Sequence, residues 1–283
     1  MIVLDGDKLS EKILERISKE IRTKQLKLKL SVFLVGDSSV SRTYINKKAK
    51  FCKSTGVDFE LLDYPANVEE SVLKEKIKET AADDNVSGIV VQLPLPKNFN
   101  TQEILNLIPA GKDIDVLSEA GFDGFSKNKS SVIPPVVGAV KYLLDEYGIS
   151  MSGKKIILIG KGRLAGKPLS MWLLNIGADF SVVDKNTTDM PDFTKKADII
   201  ISGVGLPCLV KKDMVKEGAI LIDVGTASEV GKIKGDIDPL AYQLASYVAP
   251  VPGGVGPVAV AVLVENLLKL YNNKLRLCHG GKI

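Results

Sequence analysis

The run from Lys154 to Pro168, KKIILIGKGRLAGKP, constrains this chain more than any other stretch. Its apolar centre stops at Gly160, glycines follow at Gly162 and Gly166, and Pro168 opens a second apolar stretch. The order is strand, glycine turn, helix. A proline in the first helical turn costs no hydrogen bond. Glycines let an anionic group approach the backbone closely, and the N–H groups at a helix start favour its charge. The spacing is G-x-G-x-x-x-G rather than the G-x-G-x-x-G of the dinucleotide fingerprint. By itself it suits either a phosphate-cradling loop or a plain turn between strand and helix.

The rest of the chain repeats that alternation. Residues 7–21 carry Leu9, Ile13, Leu14, Ile17 and Ile21 at helical spacing. Strands are expected at 30–35, 59–62 and 87–92, with helices between them, one closed by Gly56 and one over 68–80. Asn100 and Glu103 have the spacing of a capping box before 104–108. The stretch 116–132, rich in Ser, Gly, Lys and Asn, reads as a linker or functional loop, and the helix 136–147 as a bridge to a second domain. Beyond it, strands at 155–159, 180–183, 199–202 and 219–224 are dominated by Val and Ile, as covered parallel strands are. Helices are expected at 168–175 and 258–271. The fold class is therefore α/β in two domains: an N-terminal α/β catalytic domain over 1–134, and a Rossmann-like dinucleotide-binding domain with a parallel sheet over 135–257. The carboxyl-terminal helix, 258–283, packs back on the first.

Composition narrows the function. At 45% hydrophobic and 25% charged residues, the 283-residue chain is that of a globular protein with two modest cores. The net charge of +4 comes from scattered lysines, which suits a solvated surface better than a nucleic-acid groove. No apolar run is taken to be long enough for a bilayer, and the N-terminus lacks a secretion signal. Cys52, Cys208 and Cys278 have no paired spacing, which speaks against a disulfide framework or a zinc site and fits a reducing cytoplasm. The only histidine is His279. Metal ligation and histidine-based mechanisms are therefore not expected.

Four groups could carry chemistry. Tyr44 and Lys48 lie one turn apart on a helix, either as a solvated face beside a core aromatic or as a desolvated lysine with an aromatic platform. Gln92 ends an apolar strand at the edge where α/β sheets bind ligands. Asp113 and Asp115 alternate in an extended run, so only one should face a cleft. Asp184 closes the strand after the glycine loop, where an acidic residue accepts ribose hydroxyls or merely shapes a turn. A carboxylate there repels a 2′-phosphate, while Lys161, Arg163 and Lys185 supply opposing charge.

Together, YINKK (44–48), GIVVQLPLP (88–96), KDID (112–115), GAILIDVG (218–225), Gly235-Asp236 and PVPGGVGP (250–257) resemble the bifunctional methylenetetrahydrofolate dehydrogenase/cyclohydrolase family, through nearly the whole chain. The resemblance implies a cytoplasmic homodimer of one-carbon metabolism with folate in a cleft between the domains. Its partners are small molecules, with neither nucleic acid nor membrane. It implies oxidation of 5,10-methylenetetrahydrofolate with NAD(P)+ and hydrolysis of the methenyl product to 10-formyltetrahydrofolate. Lys48 then assists hydrolysis, Gln92 tunes it, Tyr44 stacks on folate and Asp115 holds the pterin, with Leu93, Pro252, Gly253 and Gly254 completing the substrate site. The cofactor set is Gly160, Lys161, Gly162, Arg163, Gly166, Asp184, Lys185, Val204, Gly205 and Gly225.

The departures concern the cofactor first. The family's usual G-R-S is Gly160-Lys161-Gly162, and the histidine ending the next strand is Asp184, which leans a normally NADP+-using site toward NAD+. The family's P-C-T-P is Pro134-Pro135-Val136-Val137, the glycine after the second aspartate is Val116, and Ala249 and Val258-Ala259 replace polar neighbours of PVPGGVGP. The alternatives are a monofunctional dehydrogenase or cyclohydrolase, a non-catalytic folate- or nucleotide-binding protein, and, on net charge alone, a nucleic-acid binder.

Overall fold

The computed structural model describes residues 1–229 and 232–278; His279 lies outside them. In chain order the elements are β1 (Ile2–Val3), α1 (Gly6–Thr23), β2 (Lys29–Val35), α2 (Ser39–Thr55), β3 (Asp58–Tyr64), α3 (Glu70–Ala82), β4 (Gly88–Val91), α4 (Thr101–Leu105), α5 (Glu119–Ser126) and α6 (Pro135–Glu146). They continue as β5 (Ile156–Ile159), α7 (Gly166–Asn175), β6 (Phe180–Val183), α8 (Met190–Thr194), β7 (Ile199–Ser202), β8 (Ile220–Asp223), β9 (Ala227–Glu229), β10 (Lys232–Lys234), β11 (Tyr247–Ala249) and α9 (Val255–Cys278). Contacts divide the chain into two units: residues 11–134 with those from 260 onward, and residues 1–10 with 135–259.

The first unit is built on a parallel sheet of order β3-β2-β4. Its central strand is apolar on both faces: Leu30, Val32, Phe33 and Leu34 are all buried. Phe33, Val35, Ile89 and Val91 pack with Leu73 and Ile77 of α3 and with Ile104 and Leu105 of α4. The helix α2 starts where the Ser38 side chain accepts from the Ser41 N–H, and stops at Gly56, whose φ of 83° suits glycine. Between these caps it carries Tyr44, Lys48 and Cys52 at four-residue spacing, on one face.

The stretch read as a linker, 116–132, contains α5. Ser118 caps it by accepting from the Gly121 N–H at 3.0 Å, and Phe122 packs edge-on against Phe125, which is buried. Glycine and serine hide the helix by lowering its intrinsic propensity; the cap and the aromatic pair restore it. The last helix also exceeds its expected span. By length and composition its segment Val255–Leu277 could cross a membrane, which corrects the reading that no apolar run was long enough. In this protein 72% of its most apolar window is buried inside the structure. Val258, Ala261, Val262, Val264 and Leu267 supply that core face.

The second unit holds a six-stranded sheet of order β1-β11-β8-β7-β5-β6, parallel throughout. From β5 the chain first builds β6 on one side and then crosses to β7 on the other. This reversal opens a crevice at the carboxyl ends of β5 and β7, where open α/β sheets bind ligands. Two strands of this sheet, β1 and β11, and the separate pair β9 and β10 were not foreseen, because two or three residues are too short to show a period. The pairing Ile2↔Tyr247 therefore seats the chain's opening residues in this sheet. The short β9 and β10 pair antiparallel beside it.

Candidate functional site

In the first unit, Lys48 is buried, and its Nζ donates to Gln92 Oε1 at 2.7 Å. The Gln92 Nε2 donates to the Leu93 carbonyl at 2.8 Å, which fixes the amide so that its oxygen faces the lysine. The Gln92 N–H donates to the Phe33 carbonyl, so the residue is anchored at the carboxyl end of the sheet. Burial pushes the Lys48 ammonium below the ordinary lysine range, while the charge of Asp115 pulls it back up. Asp115 is the reciprocal case: burial raises its carboxyl, Lys48 lowers it and Asp113 raises it again. Tyr44 is half-buried one turn before Lys48. One turn after it, Cys52 is fully buried and its thiol is pushed up to about 12 by that burial.

The two aspartates of KDID separate as their alternation requires. Asp113 is buried and accepts from the Ser118 N–H at 2.8 Å and the Ser118 hydroxyl at 2.6 Å, so it is spent on the start of α5. Asp115 is the one that meets Lys48 electrostatically. Between them and α5, Val116 takes φ 58°, a left-handed conformation costly for a β-branched residue, and its side chain is buried. The backbone there is one that favours glycine, with valine bearing it. Sequence reasoning missed Asn266, whose Nδ2 donates to the carbonyls of Ile114 and Ile133 and so braces the residue before Asp115. A buried asparagine in an apolar helix was its signal.

In the second unit, β6 pairs Val183 with Ile159, and the Gly160 N–H donates to the Val183 carbonyl, so Asp184 lies beside the glycine loop. Lys161 reaches Asp184 Oδ2 at 2.8 Å and the Asn186 N–H donates to Oδ1 at 2.9 Å. Those contacts, Lys161 foremost, hold the Asp184 carboxyl below its ordinary range. Lys185 and Arg163 are exposed near this pair in sequence.

The loop's own shape fits a dinucleotide. A Cβ on Gly166 would lie 2.2 Å from the Gly160 carbonyl oxygen, so the turn folds tightly onto the start of α7. A Cβ on Gly162 would meet nothing nearer than 3.9 Å, which leaves the backbone open to approach. Ala165, at the N-cap of α7, offers no side-chain cap; the Lys167 N–H donates to the Gly162 carbonyl at 2.9 Å and Pro168 has no N–H, so the glycine loop itself closes the start of the helix. Leu164, Val204 and Leu206 are exposed apolar side chains on the loops after β5 and β7, a surface suited to flat rings. Of these, Leu164 and Leu206 were not anticipated.

At Val204, Gly205 and Gly225 the backbone is committed to Asp236. The N–H groups of Val204 and Gly205 donate to Asp236, so these backbones offer a ligand shape rather than those donors. Gly225 is glycine because a Cβ there would lie 2.0 Å from Asp236 Oδ1. In the proline–glycine loop, the Gly254 N–H donates to the Pro250 carbonyl, and the Gly6 N–H donates to the Gly253 carbonyl at 2.8 Å. Pro252, Gly253 and Gly254 therefore form a tight turn closed by the start of α1.

Comparison with known proteins agrees with this geometry. Residues 4–115 match the catalytic-domain model, and residues 134–275 the NAD(P)-binding-domain model, of tetrahydrofolate dehydrogenase/cyclohydrolase. The chain belongs to that family. Its similarity to the bifunctional protein FolD of Hydrogenobaculum sp. is 42% identity, over 97% of this chain and all of that one. The crystal structure of the bifunctional FolD enzyme of Campylobacter jejuni superposes with a TM-score of 0.91 at 38% identity, covering 97% and 99% of the two chains. The Trypanosoma brucei FolD structure, a complex with NADP and an inhibitor, superposes at 0.92 with 31% identity, covering 98% and 99%. Within the family's two-domain plan, the Lys48–Gln92 site falls in the catalytic match and the glycine loop in the NAD(P)-binding match.

Proposed function

We propose that this enzyme of the tetrahydrofolate dehydrogenase/cyclohydrolase family uses Lys48 and Gln92 as its hydrolytic pair. The family's two reactions are oxidation of 5,10-methylenetetrahydrofolate with NAD(P)+ and hydrolysis of the methenyl product to 10-formyltetrahydrofolate. The observation that carries the residue assignment is the 2.7 Å bond from a buried lysine to an amide held in one orientation. The loops after β5, β6 and β7 would hold the dinucleotide, which when bound would supply the acceptor for the hydride lost by the methylene carbon. Water then adds to the methenyl carbon and gives up a proton to the neutral Lys48 amine. The hydroxyl proton leaves as the bond to N5 breaks and N5 is protonated, for a net release of one proton. Burial favours the neutral amine this needs, and a cationic substrate favours it further. One Lys48 N–H is occupied by Gln92, which leaves the lone pair to face elsewhere.

In this reading Tyr44 stacks on the folate and Asp115 holds the pterin, with Leu93 and the turn Pro252–Gly254 lining the substrate site. Gly160, Gly162 and Gly166 cradle the pyrophosphate, and Asp184 meets the adenosine ribose with a lean toward NAD+. The Lys161 contact tempers that lean, since it places a cation beside the carboxylate. The functional division falls at Pro134 and Pro135, and the protein works as a cytoplasmic homodimer on small molecules. The test is reduction of NAD+ and NADP+ side by side, with and without 5,10-methylenetetrahydrofolate. Folate-dependent reduction of both, faster with NAD+, is expected; exclusive use of NADP+ would contradict the role of Asp184.

A further inference from the structure

A pair of buried carboxylates lies behind the dinucleotide crevice and is used by none of the steps above. Asp236 has no exposed surface and accepts four hydrogen bonds. The Val204 N–H and the Ser202 hydroxyl donate to Oδ2 at 2.7 and 2.8 Å, and the Gly205 and Leu206 N–H groups donate to Oδ1 at 2.9 and 2.8 Å. Asp223, also without exposed surface, accepts from the Gly225 and Asp236 N–H groups at 3.0 Å and from the Ile237 N–H at 2.8 Å. Burying two acidic side chains together is costly. Seven hydrogen-bond donors offset that cost, and six of them are backbone N–H groups of loops at the carboxyl edge of the sheet.

Those loops form the crevice wall. A Cβ on Gly160 would lie 3.0 Å from the Gly203 carbonyl oxygen, and a Cβ on Gly203 would lie 2.8 Å from the Ala165 side chain, so the segment held by Asp236 rests on the glycine loop. A Cβ on Gly225 would fall 2.0 Å from Asp236, and one on Gly235 would fall 2.1 Å from Asp223 and 2.9 Å from the Val251 side chain. The pair thus reaches three loops: the one after β7, the one after β8 and the proline–glycine turn.

We propose that Asp236, supported by Asp223, is the positioning residue of the dinucleotide site, fixing the Val204–Leu206 wall against the glycine loop so that cofactor meets a preformed crevice. The proposal rests on the reading of that crevice as the dinucleotide site. It gives the carboxylate a function in cofactor affinity, separate from hydrolysis at Lys48.

The experiment measures KM and Kd for NAD+ and NADP+, and methenyl hydrolysis in the absence of dinucleotide, in the full-length wild type and in Asp236→Asn, Asp236→Ala and Ser202→Ala. An amide keeps an oxygen for the Gly205 and Leu206 N–H groups but presents N–H to Val204 and Ser202. The expected order of dinucleotide weakening is Asp236→Ala, at about tenfold or more, then Asp236→Asn, then Ser202→Ala at a few-fold, with hydrolysis retained. Unchanged dinucleotide KM and Kd in folded Asp236→Asn would overturn the proposal, as would equal loss of both activities. Should the Asp236 variants fail to fold, an unchanged dinucleotide Kd in Ser202→Ala would overturn it. A wild type that binds no dinucleotide would instead remove the reading on which it rests.

Discussion

At the scale of single residues, Lys161 and Asp184 form an ion pair at the end of β6, where the proposed function puts the ribose end of a dinucleotide. The sequence places an acidic residue at the end of β6 and a lysine in the glycine loop; the structure joins them at 2.8 Å. A carboxylate disfavours a 2′-phosphate, and the lysine beside it reduces that penalty. Asp184→Ser should therefore raise the ratio of NADP+ to NAD+ efficiency by about tenfold. Lys161→Ala should lower the same ratio, because it leaves the carboxylate uncompensated. Steady-state kinetics with both nucleotides checks the pair of changes, and movement in the same direction in both variants would contradict the account. The places of Lys48 on a helix and of Gln92 at a strand end followed from strongly patterned elements; the hydrogen bond between them did not. Asp236 entered only as part of the Gly235-Asp236 motif, because the partners its carboxylate holds are mainly backbone N–H groups that no side-chain pattern reports.

At the scale of elements, the parallel strands and long helices followed from periodicity. The Val- and Ile-rich runs of β2, β5, β7 and β8 are buried throughout or nearly so, and no other structure accommodates such short two-faced apolar segments so well. What escaped was set by tertiary contacts: β1 and β11 exist because they complete a sheet edge, and α5 exists because Asp113 and Ser118 fix its start. The carboxyl end of β8 carries a testable consequence. Burial, reinforced by Asp236, raises the Asp223 carboxyl to about 7. The native protein then holds that proton more tightly than the unfolded chain. This contribution to stability is full below the ordinary carboxylate range and is lost as pH rises through about 7. Between pH 5 and pH 8 it amounts to about 3 kcal/mol. Asp115, also raised by burial, acts in the same sense and Lys48 in the opposite one, so the comparison is with a variant. Denaturant unfolding across that range should show a shallower pH dependence in Asp223→Asn than in the wild type; parallel curves would contradict the burial account.

At the scale of the whole molecule, two chemistries are assigned to two sets of residues on different parts of the chain. In the proposed function, hydrolysis draws on Lys48 and Gln92, which lie in the unit built on β2, and nucleotide binding draws on the loops after β5, β6 and β7 of the other unit. Losing one should spare the other. The most direct measurement is methenyl hydrolysis and methylene oxidation in the same preparation of Lys48→Ala. A positioned base contributes about 10²- to 10⁴-fold. Hydrolysis should fall by at least about a hundredfold while folate-dependent reduction of NAD(P)+ persists. A hydrolysis rate equal to that of the wild type would contradict the assignment of Lys48.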